Sequence, residues 1–92
     1  MELAQLEKIS KALADASRLK ILYYMAGLKD YCAHCSEIVS MVKLAQPSVS
    51  HHLKTLLEAD LVSLEKEGRN HLYTVNRAVL HAYAAQINRI AR

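Results

Sequence analysis

The chain has 92 residues, of which 52 % are apolar, 23 % are charged and only three are Gly or Pro. That length holds one small domain, 1–92, and no second core. The composition excludes a disordered or collagen-like chain, and so few turn formers argue against an all-β one. The net charge is +3, and its placement matters more than its size. No carboxylate lies between Glu37 and Glu58, a stretch holding Lys43, His51, His52 and Lys54. None follows Glu67, after which come Arg69, Arg77, Arg89 and Arg92. Two acid-free zones form an electrostatic footprint for phosphate. The bland alternative is a solvated face with chance spacing. No apolar run approaches the ~20 residues that span a bilayer. The start, MELAQLEK, lacks the basic and apolar blocks of a signal peptide. The expectation is a cytoplasmic protein with no membrane partner. Its two cysteines then read as thiols, metal ligands or a redox pair in preference to a structural disulfide.

Leu3, Leu6, Ile9 and Leu13 recur at helical spacing and predict an amphipathic helix over roughly 2–14. Asp15 can cap a second helix, with Leu19, Ile21, Leu22 and Met25 apolar and Gly27 as its stop. Ser36 can cap a third, with Glu37 in its first turn and Ile38, Val39 and Val42 facing inward. Pro47 suits the first turn of a fourth, because it lacks the N–H that would be unpaired there. The period then changes. Residues 61–64 and 72–75 are β-prone, and Glu67-Gly68-Arg69-Asn70 between them carries turn chemistry. A last helix over roughly 77–90 aligns Leu80, Tyr83, Ala84, Ile87 and Ile90. The expected class is mainly α with a small β-hairpin, the plan of a winged helix-turn-helix.

The fourth helix is the informative element. At about 100° per residue, Val49, Leu53, Leu56 and Leu57 share one side, while Ser48, His51, Lys54 and Thr55 fall on or near the other and Ser50 on a flank. Small polar donors with a cation and no acid suit a major groove, where base edges present acceptors between phosphates. An ordinary polar helix face is the plain alternative. The hairpin tip adds Lys66, Arg69 and Asn70, and a cation on such a protruding turn could reach a phosphate or the minor groove. The apolar stripes of the first and last helices exceed what one hairpin can cover. They predict packing on each other and on a second copy, with Leu3, Leu6, Leu80, Tyr83 and Ile87 at the seam. A two-fold dimer would then hold two reading helices about one DNA turn, ~34 Å, apart. The competing reading is that both stripes only close the monomer core.

The stretches KALADASRLKIL (11–22) and AQPSVSHHLKTLLEADLVSLEKEGRNHLYTVN (45–76), in that order, resemble the ArsR–SmtB family of metal- and stress-responsive bacterial repressors. Ala16 stands where that family usually has proline, and Ala45 where it often has a capping Ser or Thr. The resemblance implies a homodimeric winged helix that binds an operator in double-stranded DNA and blocks transcription until an effector releases it. It implies Gln46, Ser48, Ser50, His51, Lys54 and Thr55 as DNA-reading positions, with Arg69 on the wing. No resident cofactor is implied.

Cys32-Ala33-His34-Cys35 is the candidate effector site. Two thiolates three apart, with an imidazole between them, can share a soft metal or metalloid ion. The resemblance places a sensor cysteine at His34, with Cys32 and Cys35 on either side, so the register differs by one or two residues. One protomer offers two sulfurs and an imidazole, and a water or the other protomer would complete a tetrahedral site. The family's other sensor site, on the last helix, falls on Asn76, Ala78, Arg89 and Arg92, which would not hold zinc. A thiol redox switch between Cys32 and Cys35 is the alternative, and two inert thiols are the third reading. His71 is expected to be packed beside Tyr73 and Val75, and His81 to sit at the surface or the seam. No phosphate loop, nucleophile elbow or substrate pocket supports catalysis. A winged helix that binds protein in place of DNA is the remaining rival.

Overall fold

The computed structural model describes residues 1–92 as five helices and a three-stranded sheet. Helices α1 (Leu3–Leu13) and α2 (Ala16–Ala26) lead through a tight turn at Lys29–Tyr31 to strand β1 (Cys32–His34). Helices α3 (Cys35–Val42) and α4 (Gln46–Glu58) follow, then strands β2 (Val62–Glu67) and β3 (Asn70–Val75) and helix α5 (Arg77–Ala91).

The local chemistry explains most of these boundaries. Asp15 caps α2 by accepting the Arg18 backbone N–H at 3.1 Å, and Asn76 caps α5 by accepting that of Val79 at 3.3 Å. Lys43 leaves α3 in the left-handed region, at φ 56, and returns its N–H to the Val39 carbonyl. Residues 43–45 then form a short helix-turn-helix connection. Gly68 takes φ 61 at the hairpin tip, where an unbranched backbone is needed.

Two expectations are corrected. The hairpin is not alone: β1 pairs antiparallel with β3, Ala33 opposite Tyr73, so the sheet order is β1-β3-β2. Helix α3 starts one residue before Ser36, with His34 as its cap residue. Glu37, three residues on, accepts the His34 backbone N–H at 3.1 Å and so serves that N-terminus from inside the helix. Gly27 ends α2 as expected, though in the right-handed region at φ −85, where the left-handed freedom of glycine is not used.

The core joins α1 through β3. Ile9, Ile21, Met25, Ile38, Val49, Leu53, Leu56 and Leu61 are fully buried, and no buried residue is polar or charged. Helix α5 has no buried residue. It leans on α1, where the Ser10 hydroxyl and the Tyr83 phenol are 2.8 Å apart. Leu3, Leu19, Tyr23, Ile87 and Ile90 stay exposed on α1, α2 and α5.

Candidate nucleic-acid interface

Helix α4 is pinned by Val49, Leu53 and Leu56, each wholly buried and spaced four and three residues apart. That spacing turns Gln46, Ser48, Ser50, His51 and Lys54 to the surface. The helix has no side-chain cap, and Pro47 in its first turn has no N–H to satisfy. None of the four ion pairs involves Lys54 or Arg69, and both cations are left free of carboxylates. Thr55 is half-buried, returns its hydroxyl to the His51 carbonyl at 3.2 Å, and lines a groove against Lys8 and Lys11 of α1 and Arg18 of α2.

A residue the sequence reading passed over sets the position of α4. Arg18 donates from Nε to the Ala12 carbonyl at 2.6 Å and from Nη2 to that of Lys11 at 3.3 Å. It lies 3.8 Å from the Asp15 carboxylate and 3.4 Å from His52 Nδ1 on α4. One guanidinium thus ties the end of α1, the cap of α2 and the middle of the reading helix together. The Arg18 backbone N–H on its carboxylate is the main cause holding Asp15 below its ordinary pKa.

Between the start of α3, the start of α4 and the wing lies a polar cleft of about 380 Å³. Gln46, Ser50 and Arg69 share it with His34, Cys35, Ser36, Asn70, His71 and Tyr73. The cleft therefore brings part of the DNA-reading set together with one of the two cysteines. His71, expected as a packed residue, is half-buried and forms part of this wall.

The cysteine segment divides. The Cys32 thiol contacts the Asp30 carbonyl at 3.1 Å and the Thr74 hydroxyl at 3.1 Å, on the strand side. His34 turns to carboxylates: Nδ1 is 3.1 Å from Glu37 and Nε2 is 3.9 Å from Glu67. The His34 backbone N–H is the chief cause lowering the Glu37 pKa. Cys35 opens α3 and lines the cleft, beside Tyr73, whose phenol burial pushes up in pKa. Both thiols are free and half-exposed. No three His, Cys, Asp or Glu side chains gather as a metal site within the protomer, so Cys32, His34 and Cys35 do not form one there.

At the other end, Leu3 is 83 % and Ile87 39 % exposed, while Leu6, Leu80 and Tyr83 are half-buried. His81 is exposed. No helix is long and apolar enough to cross a membrane.

Residues 15–63, which run from the cap of α2 into β2, match the family described as "Bacterial regulatory protein, arsR family". The chain belongs to that family. It is a DNA-binding transcriptional regulator and not an enzyme. It is 34 % identical over 88 residues to the arsenical resistance operon repressor of Staphylococcus aureus, covering 96 % of this chain and 82 % of that one. An ArsR-like transcriptional regulator from a Rhodococcus species superposes with a TM-score of 0.83 at 26 % identity, over 96 % of this chain and 80 % of that one. The homodimeric winged helix-turn-helix DNA-binding domain of a possible ArsR-family regulator from Mycobacterium bovis gives 0.77 at 26 % identity, over 97 % and 80 %.

Proposed function

We propose that this protein is a cytoplasmic, homodimeric repressor that binds an operator with two-fold symmetry through α4 and the wing. An effector acting on the Cys32–Cys35 segment releases it. The observation that carries the DNA reading is the outer face of α4: Gln46, Ser48, Ser50, His51 and Lys54 stand exposed with no carboxylate before Glu58. In the groove, Gln46, Ser48, Ser50, His51 and Thr55 read base edges or adjacent phosphates, and Lys54 and Arg69 neutralise phosphates. The second copy covers Leu3, Leu6, Leu80, Tyr83 and Ile87, apolar side chains that the protomer leaves partly open. The homodimeric neighbour supports that arrangement. Because DNA and effector favour different states of the dimer, each weakens the other by the same factor.

The named action of the staphylococcal relative on arsenical resistance supports a soft metalloid or metal as effector. Within one protomer only two thiols are at hand, so a third donor would come from the partner or from solvent. That shortage favours a second reading, oxidation of the two free thiols.

Binding to duplex DNA tests the first part. Its affinity should fall with salt on a log–log slope of several units, and Lys54→Gln or Arg69→Gln should each flatten the slope by about 0.9. A salt-independent interaction would replace DNA with a protein partner. For the effector, release by arsenite, cadmium, zinc and peroxide is compared in the parent and in the Cys32→Ser/Cys35→Ser double variant. Release that survives both replacements removes the cysteines from the mechanism.

A further inference from the structure

The polar cleft is more than a gap between the reading helix and the wing. Its lining contains no carboxylate. Arg69 supplies a permanent cation, Asn70 an amide and His71 an imidazole, all from the wing hairpin. Ser50 from α4 and Ser36 from α3 supply hydroxyls on the opposite side. Glu37 and Glu67 both face His34 of the cleft wall, Glu37 at 3.1 Å and Glu67 at 3.9 Å. Donors from three separate elements converging on an acid-free space describe a seat for a tetrahedral anion. The cleft also adjoins the exposed face of α4, where a duplex backbone would run.

We propose that this cleft seats a phosphodiester of the bound DNA backbone, held by Arg69, Asn70, His71, Ser36 and Ser50, and that Cys35 lies inside its footprint. The inference rests on the DNA reading above and adds Ser36, Asn70 and His71 to the contacts. It also assigns the two cysteines different parts. An adduct on Cys35 would occupy the space of the phosphate and displace DNA directly. An adduct on Cys32, on the Thr74 side of β1, would not. Exclusion at Cys35 would then act beside the shift between states of the dimer.

Alkylation with iodoacetamide, read by peptide mass mapping, tests this on the unaltered protein. The probe is a long mixed-sequence duplex at low salt, because phosphate contacts do not depend on sequence. With duplex at about ten times its Kd, Cys35 should react roughly tenfold more slowly, and Cys32 should change by less than about twofold. Inorganic phosphate at matched ionic strength should protect neither cysteine. Protection of Cys35 by free phosphate would make the cleft a small-anion site and overturn the assignment. Equal alkylation of Cys35 with and without bound duplex would overturn it as well. Failure to bind duplex at any salt would instead remove the DNA reading beneath it. A second measurement uses charge. Ser36→Glu and Ser40→Glu add the same charge one turn apart on exposed positions of α3, and an acid is tolerated in the first turn of a helix. Ser36→Glu should weaken duplex binding at least about tenfold and Ser40→Glu less than about twofold. Equal losses would reduce the effect to general repulsion and sink the proposal.

Discussion

The two halves of this small protein satisfy their apolar residues differently. From α2 through β3 the chain closes on itself. Ile21, Met25, Ile38, Leu53, Leu56 and Leu61 have no measurable exposure, and the polar sides of α4 and the wing are left for water or a ligand. At the α1–α5 end, α5 buries nothing completely, and Leu3, Ile87 and Ile90 face outward. The first half closes a core and displays the polar faces of α4 and the wing, with Leu19 and Tyr23 of α2 still exposed, whereas the second leaves its apolar side chains largely uncovered. A regulator that must hold two reading helices at a fixed spacing has reason to be built this way. In the proposed dimer, the closed half would carry the reading helix and the seam would set the distance between the two copies.

The largest effect that tests this contrast is in the closed half. Leu53→Ala should destabilise the fold by about 2–5 kcal/mol, because the cavity left behind the reading helix cannot collapse. Urea unfolding of the variant, at one protein concentration, measures it. A loss below about 1 kcal/mol would mean that α4 is held from elsewhere. In the open half, Ile87→Arg should barely change the unfolding of the protomer but weaken self-association at least about tenfold. Sedimentation over a concentration series reads that change. A fully dimeric Ile87→Arg protein would place the seam on another face.

Arg18→Met should cost about 2 kcal/mol, since two backbone carbonyls at the end of α1 lose charge-assisted bonds. It should also loosen the attachment of α4 through His52 and weaken DNA binding without touching DNA. Asn76→Ala removes the cap of α5 and should cost about 1 kcal/mol, or roughly 4–8 °C in thermal midpoint. If α5 is held mainly by the second copy, this loss should shrink as protein concentration rises.

The helical elements were legible because their stripes follow one period, and the wing because Glu67-Gly68-Arg69-Asn70 supplies its own turn. Strand β1 was not legible. Cys-Ala-His has no alternation to read, and its pairing with β3 joins residues 40 apart, Ala33 with Tyr73. The start of α3 was misread because Ser36 looks like a cap, whereas Glu37 reaches back to His34. The Arg18 clasp was invisible for a different reason. Its partners, Ala12, Asp15 and His52, come together only once α1, α2 and α4 have packed. The same holds for the cleft: Ser36 signalled only a cap, Asn70 only a turn and His71 only packing, and Cys35 was read with Cys32 although the fold turns them to different neighbours. Period reveals faces, but a concave site assembled from three elements has no period.

The smallest expected effect concerns acid. Asp15 and Glu37 each serve a helix N-terminus, one at α2 on the α1 side and one at α3 on the wing side. Both carboxyls are held below their ordinary values of 3.8 and 4.5, each chiefly by a backbone N–H. A lowered folded pKa stabilises the fold above the ordinary value, and that contribution disappears as pH falls through the folded value. The thermal midpoint should therefore be insensitive to these groups near neutrality and decline below about pH 4.5, starting with Glu37. Asp15→Asn and Glu37→Gln should each flatten part of this acid decline, because an amide keeps an accepting oxygen that does not titrate. If the parent and both variants decline in parallel, neither cap carboxylate is responsible, and the acid sensitivity belongs to the exposed charges that α1 and the wing share with solvent.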